Sequence, residues 1–184
     1  MDIDAHLVQL PDEHAASLAT RHLLEFGHQR TGCLATAKNL TFTNARVAGW
    51  RRAMGERADD SLIVHASRDS ANGKEATRRL FRACPNITAI VCLNVIAAIG
   101  ALRQIREMGQ RVPEDVSVIA IHDLIFAPDL MVPLSVVAMP LNEMGGIAVK
   151  TVCTPPETAK TTISIDCKPR LILRASTTRP AGLR

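Results

Sequence analysis

Apolar residues follow two alternating rhythms along the chain. Short continuous runs rich in β-branched residues occur at Thr31–Ala35, Leu62–Ala66, Thr88–Cys92 and Val116–Ile121. Runs of that length and composition read as strands buried on both faces. Longer stretches with helical spacing separate them. Asp12–Phe26 places Ala15, Ala16, Ala19, Leu23 and Phe26 on one face, with acidic residues at its start and Gly27 as a C-terminal cap. Thr43–Met54 does the same with Val47, Trp50 and Met54; a third helix opens at Ser70 and ends before Cys84-Pro85; Ile96–Met108 stops at Gly109. The strand starts, at residues 31, 62, 88 and 116, lie roughly thirty residues apart, the length of a βαβ unit. With right-handed crossovers this predicts an α/β fold, a doubly wound parallel sheet flanked by helices.

After Asp123 the alternation fails. Leu124 to Pro133 is an apolar loop punctuated by prolines, Ser135–Met139 reads as extended, and Leu141–Val152 reads as a helix weakened by Gly145-Gly146 and broken at Thr154-Pro155-Pro156. Two short strands, Thr161–Ile165 and Leu171–Leu173, precede a polar tail. There is no internal repeat.

Composition narrows the class. Of 184 residues, 47% are hydrophobic and 22% charged, as in a soluble globular domain. No apolar run approaches the length of a membrane span, and the first residues lack the basic and apolar parts of a signal peptide, so a cytoplasmic place is expected. The five cysteines (Cys33, Cys84, Cys92, Cys153, Cys167) form no C-x-x-C pair and read as small buried hydrophobes rather than disulfides or a zinc site. The net charge of +4 is mild, its basic residues are scattered, and tyrosine is absent. That pattern favours solvated faces over a nucleic-acid stripe or a base-stacking platform. No P-loop, G-x-S-x-G, H-E-x-x-H or G-x-G-x-x-G motif occurs. Cys92 beside His122 and Asp123 is not read as a nucleophilic site, because it lies inside an apolar strand. Neither an enzyme nor a metal or other cofactor is expected.

One stretch, Gly109-Gln110-Arg111-Val112-Pro113-Glu114-Asp115-Val116-Ser117-Val118-Ile119, resembles a signature of the LacI/GalR family of bacterial transcription regulators. The likeness lapses at Ala120, Ile121 and His122, where the family usually has Gly, an aromatic and Asp, and returns at Asp123. Six further segments are similar to the family's motifs in the family's order: His22 to Arg30, Ala45 to Trp50, Asn94 to Leu102, Pro133 to Val137, Pro140 to Gly145, and Arg174 to Thr177. They cover nearly all of the chain.

This resemblance implies a fold of the periplasmic binding protein-like type I, of which the chain would hold mostly the second of two lobes. The expected division is residues 1–136 and 162–176 in the second lobe, residues 137–161 as a remnant of the first lobe with poorly buried apolar groups, and 177–184 as a polar tail. The implied function is the effector-sensing and dimerisation part of a LacI/GalR-type regulator, without its helix-turn-helix and so without specific operator binding of its own. A solute-binding protein of the periplasmic type and a degenerate module that only dimerises remain as alternatives; the loss of two rim acids, now Val95 and His122, is the feature behind the second.

Four residues are candidate effector ligands. Arg46 matches the family's arginine that reaches ligand hydroxyls, and its planar fork of donors suits hydroxyl or carboxylate oxygens; the rival is a solvent-exposed helix arginine. Asn94 follows the third strand and matches an effector-bonding asparagine, or serves only as a turn residue. His122 stands where the family has an acid. The swap replaces an acceptor-only group by one with a donor, which favours a ligand rich in acceptor oxygens, such as a carboxylate or phosphate. Asp123 shares the rim or caps the next turn. His28 is read as structural. For pairing, the family's use of the helix after the third strand and the loop after the fourth points to Ile99, Arg103, Leu130 and Met131 as a homodimer interface, against the rival that the loop tucks over the sheet edge. The partners expected are a sugar-like or small acidic effector and a second copy of the chain.

Overall fold

A computed structural model describes residues 6–66, 69–154, 162–165 and 168–183. Pro155, Pro156, Thr161, Cys167 and the first five residues, named above, lie outside them. The elements run β1 (Leu7–Gln9), α1 (Asp12–Glu25), β2 (Thr31–Ala35), α2 (Thr41–Met54), β3 (Ile63–His65), α3 (Ser70–Ala83), β4 (Ala89–Cys92), α4 (Val95–Glu107), β5 (Ser117–Ile121), β6 (Ser135–Ala138), α5 (Leu141–Cys153), β7 (Thr162–Ser164) and β8 (Arg170–Ile172).

A six-stranded sheet has the order β3-β2-β4-β5-β6-β8. The four strands expected from the apolar runs are parallel neighbours, with registers such as Cys33↔Val91 and Ile90↔Val118. β6 extends the parallel set and β8 closes it antiparallel. Every residue of β2, β4 and β5 is buried, because helices cover both faces: α1 packs on α2, and α3 packs on α4. The helix pairs approach closely. A Cβ at Gly49 would stand 2.0 Å from the Glu13 carbonyl oxygen, and one at Gly100 would stand 2.1 Å from that of Ser70. Only glycine admits such contacts, which is the physical content of the glycines in the Ala45–Trp50 and Asn94–Leu102 motifs.

The chain leaves β2 toward β3 and leaves β4 toward β5, in opposite directions along the sheet. A crevice opens between such diverging connections, beyond the carboxyl ends of the strands. β1 and β7 form a separate two-stranded parallel sheet, and α5 lies against β1. On α5 only Thr151 is buried, while Leu141, Val149 and Val152 are 42%, 64% and 80% exposed.

The C-terminal segment is stitched to the amino ends of the central strands. The Ser176 hydroxyl donates to the Val118 carbonyl (2.6 Å) and accepts from the Ser135 amide (2.8 Å), and Ser117 Oγ donates to the Thr178 carbonyl (3.0 Å). His28 bonds Thr88 Oγ1 through Nδ1 (2.9 Å) and the Thr178 carbonyl through Nε2 (2.8 Å), in keeping with a structural histidine. His22 Nε2 lies 3.2 Å from Thr177 Oγ1. Cys33, Cys84 and Cys92 are buried as expected, whereas Cys153 is exposed at the end of α5.

Candidate functional site

A cavity of about 520 Å³ opens at the diverging connections, within the range of small-molecule sites. Thr36 follows β2, Asn94 follows β4 and His122 follows β5; all three reach it from strand ends. The start of α1 adds Asp12, the first turns of α2 add Thr41, Phe42 and Arg46, and β1 and α5 supply Leu7, Val8 and Met144. Arg46, Asn94 and His122 are therefore brought together. Asp123 is not: it binds Arg174 Nη2 through both oxygens at 2.9 and 3.0 Å, outside this cavity.

Arg46 is no exposed helix arginine. It is 4% exposed and directs each end of its guanidinium at a protein acceptor: Nε to Asp12 Oδ1 (2.7 Å), Nη1 to the Leu93 carbonyl (2.6 Å) and Nη2 to His122 Nε2 (2.8 Å). The guanidinium carbon also sits 5.2 Å from the centre of the Phe42 ring. Arginine can only donate, so His122 Nε2 must be an unprotonated acceptor and the ring's proton is on Nδ1. Burial first, and then the adjacent Arg46 charge, push the His122 pKa down to about 4, so the ring is neutral at physiological pH. Its backbone φ of 77° is left-handed, a conformation costing a non-glycine residue about 1–2 kcal/mol; the amide is held there by the Val137 carbonyl at 2.9 Å. Burial raises the Asp12 pKa, and the charge and hydrogen bond of Arg46 act against it.

Asn94 takes the backbone-bonding part considered for it and stands on the rim of the cavity. Its Oδ1 accepts from the amides of Ile96 (2.6 Å) and Ala97 (3.2 Å), capping α4, while the residue also lines the cavity. Sequence reasoning missed Asp12, which reads as an ordinary helix-start acid; its partner is 34 positions away, and nothing local announces it. Phe42, Thr36 and the β1 residues were missed for the same reason.

Ile99, Arg103, Leu130 and Met131 also meet, along a second cavity of about 470 Å³ formed by α4 and the loop after β5. Part of that loop does tuck inward: Ala127 is fully buried, and Leu124 and Leu130 pack on the core. Ile125 and Met131 are 93% and 75% exposed. Among the described residues no group of three or more His, Cys, Asp or Glu could hold a metal ion, and no helix is long and apolar enough to cross a membrane.

Ligands of doubly wound α/β folds bind at such a crevice, and comparison with known proteins gives the family. Residues 20–177 match the periplasmic binding protein-like domain. The HTH-type transcriptional regulator DegA of Bacillus subtilis is 34% identical over 143 residues, covering 76% of this chain and 42% of the relative. A LacI family transcriptional regulator from Mycobacterium smegmatis superimposes with a TM-score of 0.88 at 26% identity, over 94% of this chain and 66% of that one. The transcriptional regulator CelR–cellobiose complex gives 0.82 at 25% identity, over 94% and 54%. The chain belongs to the periplasmic binding protein-like domain family, and within it to the LacI/GalR type. That family is non-catalytic, and its relatives here are regulators, which sets the solute-binding alternative aside. The chain spans about half the length of the curated relatives it matches.

Proposed function

We propose that the cavity at the ends of β2, β4 and β5 binds a sugar-like or small acidic effector, with Arg46, Asn94 and His122 as ligand groups. The convergence of these three residues on one crevice carries the reading, and the structure of the relative CelR with cellobiose is in keeping with it. Asp123, ion-paired with Arg174, acts from behind the rim rather than on the ligand. We also propose a division into two lobes close to that expected from the sequence, residues 1–136 and 162–176 against 137–161, but with β1 and β7, which pair apart from the six-stranded sheet, moved from the second lobe to join α5 in the first, and that Ile99, Arg103, Leu130 and Met131 pair with a second copy. Effector binding would bias lobe closure and so change how a dimer presents DNA-binding heads; a cytoplasmic place goes with that role. The test is calorimetric titration of the chain with neutral sugars and small acids. Binding that is lost in Arg46→Gln is the expected result, and binding untouched by that change would refute the site.

A further inference from the structure

We infer that the groove between α4 and the loop after β5 binds a small amphiphile, an alkyl chain ending in a carboxylate, with Arg106 taking the head group. The groove is the one proposed above to meet a second copy of the chain, so ligand and copy compete for it. Only that competition rests on the pairing reading.

The floor of the groove is apolar and incompletely covered. Ile99 and Leu102 of α4, with Val112, Leu130 and Val132, line a cavity of about 470 Å³, a volume suited to a small molecule. Each of the five is half-buried; Leu102, Val112 and Leu130 pack on the core beneath and turn their remaining surface to the groove. Met131 forms the outer wall and is 75% exposed.

Charge selects the other end of the ligand. Four cations stand on or beside the rim, and three are engaged by the protein's own acids. Arg103 donates to Glu107 at 3.0 Å, Lys74 meets the other Glu107 oxygen at 2.6 Å, and Arg111 holds Asp115 through two bonds of 2.8 Å. The field of Glu114, the one carboxylate on the lining, falls on Arg111. Arg106 has no such partner among the described residues. Its side chain spans from α4 to the loop, where Nη1 lies 3.5 Å from Met131 Sδ, and a thioether is only a weak acceptor. A guanidinium held over an apolar floor without a counter-ion matches a carboxylate, whose paired oxygens fit its fork, while the chain behind that head group lies along the floor. A second copy covers the same apolar surface but brings no free acid there. Its own Glu107 and Asp115 are already held, and two-fold pairing sets one Arg106-bearing groove against another.

The test is a two-dimensional NMR titration of the 184-residue chain with hexanoate, octanoate and 1-octanol, joined to sedimentation velocity. The amides of Leu102, Leu130 and Val132 report the groove, and those of Val149 and Val152, exposed on α5, report unspecific binding to apolar surface. Octanoate should move the groove resonances and leave those of α5 in place. It should bind about tenfold tighter than hexanoate, from two further methylenes at about three- to fourfold each. It should also bind about three- to fivefold tighter than 1-octanol, a preference that shrinks as salt rises. Arg106→Gln should abolish that preference, Arg106→Lys should keep part of it, and Met131→Gln should weaken octanoate binding. Arg82→Gln, at an exposed position on α3, should bind octanoate as the wild type does. Saturating octanoate should convert dimer to monomer. Equal shifts on α5, 1-octanol binding as tight as octanoate, or a preference untouched by Arg106→Gln would each overturn the ligand site. A dimer that persists with octanoate in the groove, or a chain monomeric without it, would overturn the competition and the pairing reading together, whereas the site itself stands or falls on the shifts.

Discussion

Replacing Arg46 by methionine would expose the energetics of the cavity floor. The new side chain fills most of the stem volume but supplies no donor, so three acceptors lose their partner: Asp12 Oδ1, the Leu93 carbonyl and His122 Nε2. Stranding one member of a buried ion pair costs about 3–5 kcal/mol, and an unmet buried carbonyl adds about 1–3 kcal/mol. Two reliefs reduce the sum. The cavity admits water to the lost acceptors, and Asp12, whose pKa burial already raises, escapes part of the penalty by taking up a proton. The expected net loss is about 3–4 kcal/mol. Asp12→Asn keeps an acceptor for Nε but leaves the Arg46 charge without its counter-ion, and should lose about 2–4 kcal/mol. The double variant removes both charges and should cost less than the sum of the singles, with a coupling of about 1.5–3 kcal/mol. Urea unfolding of the four proteins at pH 7.5 measures this, provided the slope of free energy against denaturant stays constant. Additive losses, or an Arg46→Met cost below about 1 kcal/mol, would mean that the pair behaves as a solvated surface bridge and would refute the account of a neutralised arginine.

Other outcomes follow from the same structure. Burial holds the pKa values of His22 and His28 below the usual histidine range, so below about pH 6.5 the unfolded chain takes up protons that the folded chain refuses. Stability should therefore be full above that pH and fall as pH drops toward the folded values, with hydrogen exchange speeding first at residues 174–178; unchanged unfolding midpoints between pH 7.5 and 5 would contradict this. Gly100→Ala should destabilise by more than about 2 kcal/mol through overpacking of α4 on α3, whereas Gly145→Ala, with nothing within 4 Å of its new Cβ, should stabilise α5 by about 0.5–1 kcal/mol; thermal melts compare the two. Asn94→Ala should cost about 1 kcal/mol through loss of the α4 cap, as read by urea unfolding. Leu130→Glu should yield a folded monomer from a dimer in sedimentation velocity, and a wild-type chain that is monomeric at tens of micromolar would defeat the proposed interface.

The central strands were legible because burial on both faces leaves a continuous apolar run, as in Thr31–Ala35 and Val118 to Ile121, and the helices because one-sided burial leaves a period. β1 was not, since three residues, exposed Leu7 and half-buried Val8 and Gln9, carry neither signal. Strand ends mark where a site opens, so Asn94 and His122 could be placed on the rim from the sequence. Which charges meet there could not. Asp12 and Arg46, or Asp123 and Arg174, are joined only by the packing of distant elements, and the same letters on an exposed face would read identically.

The stitching of Ser176 to Thr178 into the amino ends of β5 and β6 has a consequence during synthesis. Those residues are made 41 to 150 positions after the buried polar groups they hold, which belong to His28, Ser117 and Ser135. A growing chain that stops short of Thr178 can collapse its sheet and helices, but it keeps a row of dry donors and acceptors open at one end. Completion of this domain thus waits for residues 176–178, and a chain cut before Ser176 would be a target for chaperones and proteases although nearly all of its apolar core is present.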